Sequence, residues 1–426
     1  MTRSLWKYVP AWLLAAVLWG LAAGCGMVYD DYPEDYDPTD PLVLVLRVAP
    51  VAQSRVDDGK ERMETLRIVL LDKDGKVEYN EMFGSSGSSG GDAVLTAEEG
   101  FSGDGGSFFK LIPTTPGDKK IFLIANEASV EKPRTADGTA PTSLTALLAD
   151  YPKGTPGFEA MVNGIWFAPT YDGKIPLTSS YAFTLTQSSG RAQMDFYLVH
   201  AATKFEFTFE NYLENPLRID ELSISSLSDR MFLMAQFEDA AKQKIDPTQK
   251  TGPDGRYWID WLKDVSEATN RYPNDPDNES TNASYGWIYD YVLPVGAFHS
   301  VERLVASGDA EKPTIPSLVD EDKTFSLPVV YFPESKNIPG NAGQEYTFTV
   351  KLTDTKTNTS KSFENLRLTD IEMEDGQKVD NLHTLFRNTH VKVTARVTQT
   401  SKDIELTLLI GVCPWYEEEI DIPTFD

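Results

Sequence analysis

Apolar side chains in this chain return at every second position, and no other property of the sequence constrains the fold as tightly. In residues 204–210 (KFEFTFE), Phe205, Phe207 and Phe209 share one face, while Glu206 and Thr208 share the other. Tyr346, Phe348, Val350 and Leu352 repeat the pattern, as do Val391, Val393, Ala395 and Val397. A strand projects successive side chains to opposite faces, so these stretches predict half-buried strands. Residues 42–48 (LVLVLRV), 68–71, 121–125 and 406–412 are apolar almost throughout, which predicts strands covered on both faces. Asp72-Lys73-Asp74-Gly75, between two such runs, predicts a hairpin turn because Asp-Gly tolerates positive φ. Helical spacing is confined to residues 143–150 (SLTALLAD), behind a Ser cap, and 260–268 (DWLKDVSEA). The expected fold is mainly β, with short helices in the connections. A length of 426 residues exceeds one domain, and the boundary is expected near His200-Ala201-Ala202, with a two-sheet sandwich on each side.

The start of the chain has a different character. Arg3 and Lys7 precede an uncharged apolar run over residues 9–21, too short to span a bilayer comfortably, so it reads as an export signal. The run ends in Leu21-Ala22-Ala23-Gly24-Cys25, which resembles the bacterial lipobox and implies a signal peptide over residues 1–24 with lipid on Cys25. The sequence has two cysteines, so lipidation of Cys25 leaves Cys413 unpaired, read as a small apolar side chain in a strand. No other apolar run approaches spanning length, which predicts an aqueous compartment outside the cytoplasm for the rest of the chain. Residues 30–38 (DDYPEDYDP) read as a solvated tether.

Sixty-five acidic against 39 basic residues give a formal charge of −26, which repels nucleic acid and anionic membrane surfaces and makes both poor electrostatic partners. His200, His299, His383 and His390 lack metal-ligand spacing, and neither a phosphate-cradling loop nor a GxSxG elbow occurs. No catalytic residue, metal or cofactor is therefore assigned, and a binding or structural role is expected in place of an enzyme. Tyr257, Trp258, Trp261, Trp287 and Tyr289 suit either a sugar-stacking platform or a loop brace. The oxygen-rich residues 274–279 read as a solvated turn before a calcium site, for want of a loop glycine, and residues 84–91 (GSSGSSGG) read as a flexible loop.

Several features occur in an order that resembles the Bacteroidales fimbrillin family, the subunits of type V pili. They are the lipobox at Cys25, the tether, the strand LVLVLRV, Ser54-Arg55-Val56, the strand at 66–71, and IFLIANE over 121–127. HAATKF over 200–205, LPVVYFPES over 327–335 and Val412-Cys413-Pro414-Trp415 complete the series. The resemblance implies two transthyretin-like, Greek-key β-sandwiches in tandem, here 56–200 and 201–426, behind a lipidated tether and removable strand at 25–55. It further implies a lipoprotein precursor carried to the outer membrane, cut by an arginine-specific protease, and joined to other fimbrial subunits by strand exchange at the cell surface. On this chain the removable strand is carried by Leu42, Leu44 and Leu46, and processing falls between Arg55 and Val56, with Arg62 as runner-up. Removal of residues 1–55, with four basic and six acidic side chains, leaves a formal charge of −24. The donor candidates are Ile420, Ile422 and Phe425 in the tail 415–426 (WYEEEIDIPTFD), whose other reading is a charged edge strand of its own domain. Alternatives are a lipid-retaining anchor or a tip subunit of the same fimbria, and a surface glycan-binding lipoprotein. The receptor is not implied.

Overall fold

The computed structural model describes residues 41–50, 59–84, 99–102, 106–186, 188–236, 293–294, 299–306, 308–319, 324–336, 346–368, 371–373, 378–379, 384–385, 387–400 and 403–414. They form two β-sandwiches in tandem. The first contains β1 (Val43–Pro50), β2 (Thr65–Leu71), β3 (Val77–Gly84), β4 (Gly100–Phe101), β5 (Phe108–Pro113) and β6 (Gly117–Ala125). After these come α1 (Leu144–Ala149), α2 (Phe158–Asn163), β7 (Trp166–Phe167), β8 (Leu177–Leu185) and β9 (Arg191–His200). The order β3-β2-β6-β8 makes one layer and β9-β1-β5-β4 the other, and they are continuous only at one corner. There Leu177 and Thr178 pair with His200 and Val199.

The inward faces of both layers meet in one apolar core that includes Leu44, Leu46, Leu66, Ile68, Ile121, Leu123, Phe183 and Phe196. The opposite faces of β2 and β6 are covered too. Val69, Leu71, Phe122 and Ile124 pack with Leu144 and Leu148 of α1 and Phe158 and Val162 of α2. This second layer is why residues 68–71 and 121–125 are apolar on both parities. Ser143 caps α1 as predicted, its Oγ accepting from the Ala146 N–H at 3.1 Å. The turn before β3 also forms as predicted, with Gly75 at φ 72° and Asp72 Oδ1 accepting from the Asp74 and Lys76 N–H groups at 2.9 Å each. Nothing in the sequence pattern announces α2; at six residues it buries only Phe158 and Val162, with Met161 partly buried beside them, too short a stretch to show a period.

β10 (Thr203–Asn211) opens the second sandwich, followed by β11 (Leu217–Ser228), β12 (Met231–Phe232), β13 (His299–Val305), β14 (Thr314–Ile315), β15 (Phe325–Ser326), β16 (Val330–Phe332) and β17 (Ser335–Lys336). Then come β18 (Thr347–Asp354), β19 (Ser360–Arg367), β20 (Ile371–Met373), β21 (Lys378–Val379), β22 (Thr384–Leu385), β23 (Thr389–Gln399) and β24 (Ile404–Pro414). One layer runs β15-β10-β23-β24-β20-β21, with β16 also beside β10; the other runs β13-β11-β18-β19, with β14 beside β11. The alternating sets Phe205/Phe207/Phe209, Tyr346/Phe348/Val350/Leu352 and Val391/Val393/Ala395/Val397 all face the core between them. Two short pieces stand outside these layers: β17 pairs with β22, and β12 reaches back to pair with β7 of the first sandwich.

One expectation fails. The apolar run at 406–412 predicts cover on both faces, yet β24 is half-exposed: Leu406, Leu408 and Ile410 face the core, while Leu409 is 42% exposed on the other face. Thr407 and Glu405 share that outer face, so the strand alternates after all, and Leu409 is an apolar residue at a solvent position. The helix predicted at 260–268, the aromatic set between Tyr257 and Tyr289, residues 274–279 and the loop after Gly84 lie outside the described residues. Leu70→Ala, in the doubly covered strand, should cost about 2–5 kcal/mol in denaturant unfolding, whereas Leu409→Thr should stay within about 0.5 kcal/mol.

Candidate functional site

β1 lies inside its sheet with partners on both sides. It runs antiparallel to β5, from Val43 opposite Pro113 to Val48 opposite Phe108, and parallel to β9, from Val43 opposite Arg191 to Pro50 opposite Leu198. Leu44, Leu46 and Val48 are fully buried, and Leu42 is 2% exposed. Leu44 sits between Ile112 and Ala192, Leu46 between Lys110 and Met194, and Val48 between Phe108 and Phe196. The outward positions Val45, Arg47 and Ala49 are buried as well. Each inward aliphatic side chain contributes about 1.5–3 kcal/mol of burial. Withdrawal of β1 would unpair one edge of β5 and one of β9 along an apolar slot, a template for another strand.

After β1 the chain is next described at Gly59, where it enters the junction between the two sandwiches. Lys60 Nζ donates to the Tyr171 carbonyl at 2.8 Å, and Ile175 N–H donates to the Lys60 carbonyl at 2.9 Å. Glu61 is 2% exposed, and its Oε1 accepts from Lys204 Nζ at 2.8 Å and from the Tyr331 hydroxyl at 2.9 Å. Both ring nitrogens of His200 face oxygens, Nδ1 at 3.1 Å from Asn388 Oδ1 and Nε2 at 3.3 Å from the Glu61 carbonyl. Complete burial nevertheless depresses the His200 pKa, with the Glu61 carboxylate offsetting only part of that effect. Arg387, fully buried, donates through Nε and Nη2 to both Glu334 oxygens at 2.9 and 2.5 Å. Its other bonds reach Thr178 Oγ1 and the carbonyls of Leu233 and Phe232, so β8, the end of β12 and the segment between β16 and β17 are held by one side chain.

Asn126 holds the neighbouring turn. It adopts the left-handed conformation at φ 55°, accepts from the Glu64 N–H at 2.9 Å, and donates to the carbonyls of Arg62 and Ile175 at 2.9 Å each. Beside it Glu127 forms a buried two-point ion pair with Arg67, at 2.7 and 2.9 Å. The structure therefore places Asn126 and Glu127 of IFLIANE, His200 and Lys204 of HAATKF, and Tyr331 and Glu334 of LPVVYFPES around one junction. Their spacing along the chain carried no sign of this convergence, and Glu61, Arg387 and Asn388 had no motif at all. Of the sequence-predicted residues, Leu42, Leu44 and Leu46 stand together on the inward face of β1. Cys25, Arg55, Val56, Ile420, Ile422 and Phe425 lie outside the described residues.

No family model matches the chain, and no curated protein does. Among solved structures, the tip fimbrial protein Mfa3 of Porphyromonas gingivalis, truncated at its C-terminus, aligns at 12% identity over 88% of this chain and 99% of its own, with a TM-score of 0.45. A fimbrilin of Porphyromonas gingivalis aligns at 9% identity over 89% and 99%, with a TM-score of 0.44. A fimbrial assembly protein of Parabacteroides distasonis aligns at 10% identity over 86% and 94%, with a TM-score of 0.36.

Truncation of Arg387 to Met should cost about 3–5 kcal/mol in unfolding experiments, because Glu334 would stay buried without its cation. Acidification should weaken the junction. The folded-state pKa of His200 lies below the ordinary value of 6.5, so the stability present above that pH declines as pH falls beneath it. Thermal midpoints should therefore drop between pH 7 and pH 5, with a shallower drop in His200→Gln.

Proposed function

We propose that this chain is a fimbrillin-type subunit of a bacterial surface fimbria, with a structural and adhesive role and no enzymatic one. The observation that carries the reading is the placement of β1: the first strand among the described residues is internal to its sheet and paired on both sides, and the sequence after it is short and polar. A strand so placed leaves a slot of matching length and polarity when it departs, which suits polymerisation by strand addition. In this reading residues 1–24 direct export, lipid on Cys25 holds the precursor at the outer membrane, and an arginine-specific protease cuts between Arg55 and Val56. The division into a leader, a first domain at 56–200 and a second at 201–426 follows. The slot then receives a strand from a neighbouring subunit, and the tail bearing Ile420, Ile422 and Phe425 enters a slot elsewhere in the fibre.

The surroundings of Arg47 and Arg62 disfavour both as cleavage sites, which leaves Arg55. Arg47 lies within β1 and is 8% exposed, shielded from a protease that needs extended substrate. Arg62 is exposed, but its carbonyl is held by Asn126 and the adjacent Glu61 is fixed in the junction. The segment 59–64 would thus remain docked after the cut, and only the leader and β1 would be released.

N-terminal sequencing of the protein from surface fibres should read from Val56, and Arg55→Ala should abolish incorporation while leaving the precursor folded. An acylated Cys25 on fibre-borne protein would overturn the polymerising role in favour of a lipid-retaining anchor.

A further inference from the structure

We propose that the β1 slot selects a strand carrying a cation at the place of Arg47, opposite Asp195, and that this strand comes from a different kind of subunit, not from a second copy of this chain. The inference rests on the reading that β1 is removed. Arg47 is the one charged residue of β1, and it faces outward between Val45 and Ala49. Register places it directly across from Asp195 on β9 and Phe109 on β5. β1 and β9 run parallel, and neighbouring strands lie about 4.7–4.9 Å apart, so side chains paired on one face are near enough for opposite charges to attract and like charges to repel. Desolvation on this face raises the Asp195 pKa, and the Arg47 guanidinium pulls it back down, so the two groups sense one another. Arg47 Nε has no hydrogen-bond partner among the described residues, so its charge, not a hydrogen bond through Nε, is what Asp195 registers. With β1 gone, Asp195 would border the slot as a carboxylate without that cation.

The tail WYEEEIDIPTFD does not answer this requirement, because it carries acids and no cation. Laid in the direction of β1, its anchors Ile420 and Ile422 can replace Leu42 and Leu44, Leu44 and Leu46, or Leu46 and Val48. Those registers bring Pro423 to the places of Val45, Arg47 or Ala49, where a ladder position loses its N–H donor. Shifting the anchors on to Val48 and Pro50 puts Glu419 opposite Asp195 and Glu418 at the place of Leu46. Lys110, beside that place, already pairs with Glu99 at 3.1 Å and lies over the Phe83 ring, so it offers Glu418 little compensation. The fitting partner is a strand with alternating aliphatic residues on one face and a lysine or arginine on the other.

The test uses the full chain cut by an arginine-specific protease and three labelled synthetic peptides: residues 41–50, the same peptide with Arg47→Glu, and residues 415–426. Binding is followed by fluorescence anisotropy at low salt. The first peptide should bind, the Arg47→Glu peptide should bind about five- to tenfold more weakly, and the tail peptide should not bind. Asp195→Lys in the chain should reverse the order of the first two, and Asp195→Asn should level them; both changes are at an exposed site and leave the core intact. Equal affinity for the 41–50 peptide with and without Arg47→Glu, or tail binding as tight as that of residues 41–50, would overturn charge selection while leaving strand removal standing. Exclusion of every peptide from the cut chain would instead sink the removable-strand reading and this inference with it.

Discussion

The buried carboxylate of Glu61 sets the terms for how the two sandwiches meet. A charge with 2% exposure is tolerated only where its oxygens are matched, and here Lys204 from the start of β10 and Tyr331 from β16 supply the match. Arg387 and Glu334 repeat the arrangement, with the guanidinium donors divided among a carboxylate, a hydroxyl and two carbonyls. The first pair joins the segment before β2 to β10, and the second, formed within the second sandwich, reaches Thr178 of β8 through Arg387. An apolar seam of similar area would have tolerated sliding, whereas fixed hydrogen-bond directions admit one docking geometry. The junction therefore specifies orientation more than it adds stability.

Much of the β architecture was legible, because alternation is a property of single strands and survives without knowledge of their partners. Phe205, Phe207 and Phe209 announced their face from seven residues of sequence. What lay on the second face was less accessible. The runs at 121–125 and 406–412 look alike as sequence, but two short helices cover the first and none of the described residues buries Leu409 in the second. That difference is decided by where distant elements pack, which no local window contains. The setting of β1 was readable in part: the composition of LVLVLRV required a doubly covered strand, and its partners β5 and β9 came only with the fold. The junction was the least legible, since Glu61, Lys204, Tyr331 and Arg387 are scattered along the chain and ordinary in type.

Acidity and strand pairing act on different scales in this molecule. The formal charge of −26 discourages casual association between copies of the chain and does so through the whole surface. A slot works through backbone donors and acceptors that carry no net charge, so it is indifferent to that repulsion once ends meet. Were β1 replaced by another strand, selectivity would fall to the few outward side chains beside the backbone, where one carboxylate can discriminate between strands of equal hydrophobicity.

The parallel pairing of β1 with β9 bears on the timing of folding. A strand at the front of the chain finds this neighbour only after β2 through β8 have been made, and β10 likewise waits for β23. Such closures carry a large loop entropy and form late. Until those closures form, β5 and β9 each lack a partner along one side and the inward faces of both layers stay incompletely covered, so the apolar core is the last feature of each sandwich to be sealed.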